Sequence, residues 1–128
     1  MRRLRVIIAD DNAEFRRTLS EYLQTMDGID IVAEAIDGKH VVELALKIKP
    51  DVVIMDISMP LLTGIESTRL IKNHYPEITV VILTLHDAAV YRQLAKEALA
   101  DGFISKNAMK TGLERFIASQ QFGKTYEV

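Results

Sequence analysis

The sequence predicts an α/β fold, a doubly wound parallel sheet of five strands with five helices divided between its two faces. Three observations carry this. Short apolar runs of strand length alternate with longer stretches in which apolar residues recur every three or four positions. The runs are almost continuously hydrophobic, as in strands covered on both faces. Each is followed by enough chain for a helical crossover, which parallel pairing requires and which is right-handed with few exceptions.

The first run, Leu4 to Ala9, is a central strand. A helical stripe follows at Phe15, Leu19, Tyr22, Leu23 and Met26, closed by the breaker Asp27-Gly28. Ile31 to Ala35 mixes polar and apolar residues and reads as an edge strand. Asp37-Gly38 opens a second helix, with its stripe at Val41, Leu44, Ala45 and Ile48 and its stop at Pro50. Val52 to Met55 is the third strand, ended by Asp56 and a loop containing Pro60 and Gly64. Ile65, Thr68, Ile71 and Tyr75 mark the third helix, and Ile78 to Leu83 the fourth strand, stopping at Thr84. Tyr91, Leu94, Ala95 and Ala98 mark the fourth helix, with Asp87 as its expected cap, and Gly102 to Ile104 the fifth strand. Met109, Leu113, Phe116 and Ile117 mark the last helix, which carries Gly112 in its interior at a cost of about 1 kcal/mol.

Composition narrows the function classes. A chain of 128 residues, 48% hydrophobic and 27% charged, makes one domain with a real core and excludes disorder. Without cysteine there is no disulfide, thiol nucleophile or zinc–thiolate site. A net charge of −2 does not mark the whole chain as a nucleic-acid or membrane surface. No apolar run approaches the length of a membrane span, and the basic start runs into Asp10-Asp11 rather than a secretory core. A cytoplasmic domain is expected.

In doubly wound sheets ligands bind beyond the carboxyl ends of the strands, where strand order reverses. There the sequence places Asp10 and Asp11 after the first strand, Asp56 after the third, Thr84 after the fourth and Lys106 after the fifth. Asp37 follows the edge strand, away from that point. Each has an ordinary alternative: Asp11 with Glu14 as a capping pair, Asp56 as a turn residue, Thr84 satisfying a carbonyl, Lys106 in solvent. Taken together they describe one site. Three neighbouring carboxylates repel one another unless a cation intervenes, and all-oxygen ligands suit Mg²⁺. A lysine and a hydroxyl beside them suit a phosphoryl group, and a carboxylate can accept that group as an aspartyl phosphate. Asp56, from the middle strand, is the expected nucleophile.

The segments Ile7-Ile8-Ala9-Asp10-Asp11-Asn12, Pro50 to Pro60, Val80 to Thr84 and Gly102-Phe103-Ile104-Ser105-Lys106 together resemble a response-regulator receiver domain of bacterial two-component signalling. The spacing from Asp56 to Pro60 and Gly64 is a specific mark of it, much stronger than any lone dipeptide. Thr84-Leu85-His86-Asp87 and Glu34 to Gly38 resemble the NarL/LuxR branch. The resemblance implies the flavodoxin-like receiver fold with strand order 2-1-3-4-5, and phosphorylation of Asp56 by a sensor histidine kinase or by small donors such as acetyl phosphate. It implies Mg²⁺ held by Asp10, Asp11, Asp56 and the backbone carbonyl of Ser58, with Thr84 and Lys106 on the phosphoryl group. It implies a switch in which Thr84 moves and the aromatic Phe103 turns inward, with Ser58, Leu85 and His86 tuning hydrolysis. Residues 1–121 are then the receiver and 122–128 the start of a linker to a DNA-binding output domain, with a single-domain regulator as the alternative. Pairing of two copies through helices one and five follows by family analogy only.

Three departures bear on that reading: Phe103 lacks a phenolic hydroxyl, Asn107 stands where proline often follows the lysine, and Leu85 is bulky. Without proline a cis bond after Lys106 would cost roughly 2.5–4 kcal/mol. His40 and His74 have no metal-ligand spacing and are expected at the surface; plain exposure is the simplest reading of His86 as well. A haloacid-dehalogenase-type phosphohydrolase would need a second aspartate that Asp10-Asp11-Asn12 lacks, and a flavin binder a glycine-rich phosphate loop. A receiver-shaped interaction module that works without phosphorylation is the remaining alternative.

Overall fold

In the computed structural model, which describes residues 2–123, the alternation of strand and helix is complete. The strands are β1 (Leu4–Ala9), β2 (Ile29–Ala35), β3 (Val52–Met55), β4 (Thr79–Thr84) and β5 (Gly102–Ser105). The helices are α1 (Ala13–Gln24), α2 (Gly38–Ile48), α3 (Gly64–His74), α4 (Ala89–Glu97) and α5 (Met109–Phe122), the last preceded by a 3₁₀ turn at Lys106–Ala108. All strands are parallel, in the order β2-β1-β3-β4-β5 that the family resemblance implies.

The period of two along each central strand sends alternate side chains to opposite faces, so one sheet serves two cores. Ile7, Ala9, Val53, Met55, Val80, Ile82 and Phe103 face α2, α3 and α4. Leu4, Val6, Ile8, Val52, Ile54, Val81, Leu83 and Ile104 face α1 and α5. The chain runs outward from β1 to β2, then returns across β1 to β3, and this reversal leaves a crevice at the carboxyl ends of β1 and β3.

Boundaries differ from the sequence expectation by a residue or two. β2 begins at Ile29 rather than Ile31, because parallel pairing with Leu4 and Arg5 recruits Ile29 and Asp30. β4 begins at Thr79, since the Ile78 amide is spent on the Tyr75 carbonyl. α5 continues through Phe122 and ends on Gly123 in the left-handed conformation, so Phe122 belongs to the helix; the remainder of the expected linker, residues 124–128, lies outside the described residues. No peptide bond is cis among the described residues, which gives the trans form at Lys106-Asn107. Among them, too, no helix is long and apolar enough to cross a membrane.

Gly112 has a packing reason. A Cβ there would lie 2.6 Å from Ile104 Cγ2, so the missing side chain lets α5 settle on β5. Helix propensity and close packing make opposite predictions for Gly112→Ala. We expect loss of about 1–2 kcal/mol in urea unfolding, because overpacking costs more than propensity returns. A gain in stability would show that α5 has room to spare.

Candidate functional site

At the crevice, β1 and β3 each hand over directly to an aspartate. Asp10 is 3% exposed and Asp56 is 8% exposed, which makes them the two buried carboxylates of the described residues. Their inner oxygens are taken by nearby amides: Asp10 Oδ1 accepts from Asn12 N at 2.9 Å, and Asp56 Oδ1 from Ile57 N at 2.7 Å. Their other oxygens share one cation. Lys106 Nζ donates to Asp10 Oδ2 at 2.8 Å and to Asp56 Oδ2 at 3.1 Å. Lys106 begins the 3₁₀ turn after β5 and reaches past the end of β4 to do so.

Burial disfavours the charge on Lys106, but its hydrogen bonds and attraction to Asp10 and Asp56 outweigh that and raise its pKa above the ordinary lysine value. The third predicted carboxylate, Asp11, is exposed and takes no part in these ion pairs. Thr84 closes β4 fully buried, and its hydroxyl accepts from His86 N at 3.1 Å. Gly64 belongs to the same assembly: a Cβ there would lie 2.0 Å from the Asp56 carbonyl oxygen, so only glycine lets α3 start against the loop that carries Asp56.

The helix that follows Asp10-Asp11 is capped by Asn12, whose Oδ1 accepts from Phe15 N at 2.9 Å; the Asp11–Glu14 capping pair, the ordinary alternative for Asp11, does not form. Asn12 stands one position closer to the helix and is correctly placed to reach its third amide. The first turn of α1 also supplies two groups whose place at the site the apolar stripe did not reveal. Phe15 lies beneath the Lys106 ammonium, 3.9 Å from ring centroid to Nζ. Arg16 donates to the Asp10 carbonyl at 2.6 Å and to Glu34 at 3.0 Å, tying the ends of β1 and β2 together.

On the other side of the site one expectation fails. Asp87 does not cap α4: the cap position is Ala88, with no side-chain bond, and the Asp87 carboxylate accepts from Ser105 Oγ at 3.0 Å instead. The hydroxyl at the end of β5 competes for Asp87 more effectively than the helix amides do. Phe103 is buried, 3% exposed, with the Arg92 guanidinium 4.6 Å above its ring. Ser58, Leu85 and His86 are exposed, and the His86 ring lies 5.5 Å from that of Tyr91, tilted by 55°. Asp37 caps α2 away from the crevice, and His74 is at the surface while His40 is half-buried on α2.

The family model for the response regulator receiver domain matches residues 6–118. This chain belongs to that family. The receiver is 35% identical over 104 residues to the transcriptional regulatory protein DegU of Brevibacillus brevis, covering 81% of this chain and 44% of that protein. It is 32% identical over 114 residues to the response regulator GacA of Pseudomonas aeruginosa, covering 89% and 52%. Among solved structures, a LuxR-family response regulator from Aurantimonas superposes with a TM-score of 0.89 at 29% identity, covering 95% and 87% of the two chains. The receiver domain of NarL from Mycobacterium tuberculosis superposes at 0.88 and 25% identity, covering 97% and 100%. The receiver therefore spans about half the length of the curated relatives it matches.

Removing one member of a buried ion-pair cluster leaves the others uncompensated. Lys106→Met should therefore lower unfolding free energy by about 2–4 kcal/mol at neutral pH, read by urea denaturation. The stability that Lys106 supplies is fully present below its unfolded pKa of about 10.4 and is lost as pH rises through the raised folded value. The wild-type chain should accordingly lose more stability than Lys106→Met above about pH 10.5. Parallel alkaline limbs for the two proteins would mean that Lys106 is not held by the carboxylates in solution.

Proposed function

We propose that Asp56 is the phosphoacceptor of this receiver, and that phosphorylation controls an output carried elsewhere in a longer protein. The observation that carries this is the placement of a buried Asp56 carboxylate at the β1/β3 crevice, sharing the Lys106 ammonium with Asp10. A sensor histidine kinase is the proposed donor, with acetyl phosphate as a small substitute.

In the transfer an Asp56 carboxylate oxygen attacks phosphorus, and the bond from phosphorus to the donor's nitrogen or oxygen breaks as the new P–O bond forms. Lys106 is already placed to follow the charge, since its N–H groups can pass from the carboxylates to a phosphoryl oxygen. The Thr84 hydroxyl accepts from His86 N, which leaves its own proton for another phosphoryl oxygen. Ile57 N holds the second Asp56 oxygen and fixes the carboxylate plane.

Asp10, Asp11, Asp56 and the carbonyl of Ser58 would hold Mg²⁺, and their all-oxygen chemistry fits that ion. Among the described residues no trio of His, Cys, Asp or Glu already closes on one point, and Lys106 supplies the positive charge between Asp10 and Asp56. Bound there, Mg²⁺ would neutralise carboxylate and phosphoryl charge together.

Thr84 and Phe103 form the proposed switch; Phe103 is already inward, held from α4 by Arg92. Ser58, Leu85 and His86, exposed around the crevice, are the proposed regulators of water access and hydrolysis. A transcriptional output is supported by relatives such as DegU, whose length is about twice the part matched here.

The test is intact-mass spectrometry after incubation with acetyl phosphate, with and without Mg²⁺, on the wild-type chain and Asp56→Asn. One Mg²⁺-dependent adduct, absent from the variant, is expected. No adduct, together with no Mg²⁺ binding, would replace this reading with a phosphorylation-independent interaction module.

A further inference from the structure

We propose that Phe15 is a positioning residue for the phosphoryl-transfer site, acting through Lys106, a role that rests on the phosphoacceptor reading above. The contacts close a ring. Asp10 Oδ1 accepts from Asn12 N, Asn12 Oδ1 accepts from Phe15 N, the Phe15 ring lies 3.9 Å from Lys106 Nζ, and Lys106 donates back to Asp10 Oδ2. The N-terminal cap of α1 is thus also the device that aims an aromatic face at the ammonium.

Lysine has a long, flexible stem and a point charge that its surroundings must direct. The 10% exposure of the Lys106 side chain leaves it few water partners. Two carboxylates attract it from one side, and without a further support it would follow whichever of them moves. The ring face supplies that support: it attracts the cation through its quadrupole and takes no proton from it. The donors that reach Asp10 and Asp56 are therefore not drawn off by a competing oxygen, and can pass to phosphoryl oxygens. When Asp56 gains a phosphoryl group the ammonium must turn toward new acceptors. The aromatic face lets it pivot without losing its footing, as a directional hydrogen bond would not. Phe15 is half-buried and packs against the α1/α5 core, so its ring is itself held in place.

The test combines a spectrum with a rate. In the folded wild-type chain the ε-methylene protons of Lys106 should resonate upfield of random-coil values because of the ring beneath them. The shift should vanish in Phe15→Leu and persist in Phe15→Tyr. The initial rate of acetyl-phosphate labelling should fall about fivefold to twentyfold in Phe15→Leu and be restored in Phe15→Tyr. In a Lys106→Met background, Phe15→Leu should change the rate less than about twofold, since the group through which it acts is gone.

Random-coil Lys106 shifts in the wild-type chain overturn the proposal, whether or not the chain is phosphorylated. An equal loss from Phe15→Leu in both backgrounds overturns it as well, by assigning the effect to packing. An upfield shift in a wild-type chain that forms no adduct and binds no Mg²⁺ sinks the phosphoacceptor reading and supports the positioning of Lys106 by Phe15.

Discussion

One ammonium between two buried carboxylates is the constraint from which the rest of this molecule follows. Asp10, Asp56 and Lys106 arrive from β1, β3 and β5, and each gives up most of its contact with water. Two adjacent carboxylates in such a place would drive each other toward protonation, and a lone ammonium would be expelled. The three coexist because the sheet brings all its strands to a common edge and the topological reversal opens that edge between β1 and β3. The same arrangement leaves a net negative charge at a crevice, the property on which the proposed binding of a divalent cation and acceptance of a phosphoryl group rest. Stability and chemistry thus draw on one set of charges.

Much of this was legible in the sequence, for a physical reason. A parallel sheet buried on both faces demands continuous apolar strands, so any polar residue at a strand's carboxyl end is conspicuous. Asp10, Asp56, Thr84 and Lys106 stand out in the sequence on that ground. The fold class followed equally from periodicity, and strand order from the family resemblance. Phe15 was visible only as one member of an apolar stripe, because periodicity says which face of a helix is buried and nothing about a charge arriving from ninety residues away. Arg16 was hidden for the same reason.

The capping assignments show a different limit. Asp11 and Asp87 are both good cap residues by type, yet Asn12 caps α1, and Asp87 is drawn away by Ser105. Local preference lists candidates, and tertiary partners choose among them. Gly112 is the converse case. It looked like a defect in a helix, and it is the place where α5 touches Ile104.

The loss of Asp87 to Ser105 bears on how the free energy of folding is distributed. α4 starts without a side-chain cap and buries only Ala95 among its residues, whereas α3 has a full capping box and several buried side chains. Local opening of α4 consequently costs less than opening of the sheet it covers, so its amides should exchange with solvent ahead of those of the core. The softest helix begins just beyond Thr84 and covers Phe103 through Arg92. Events at the crevice therefore adjoin an element that costs little to open, so a small bias in energy there is enough to redistribute its ensemble.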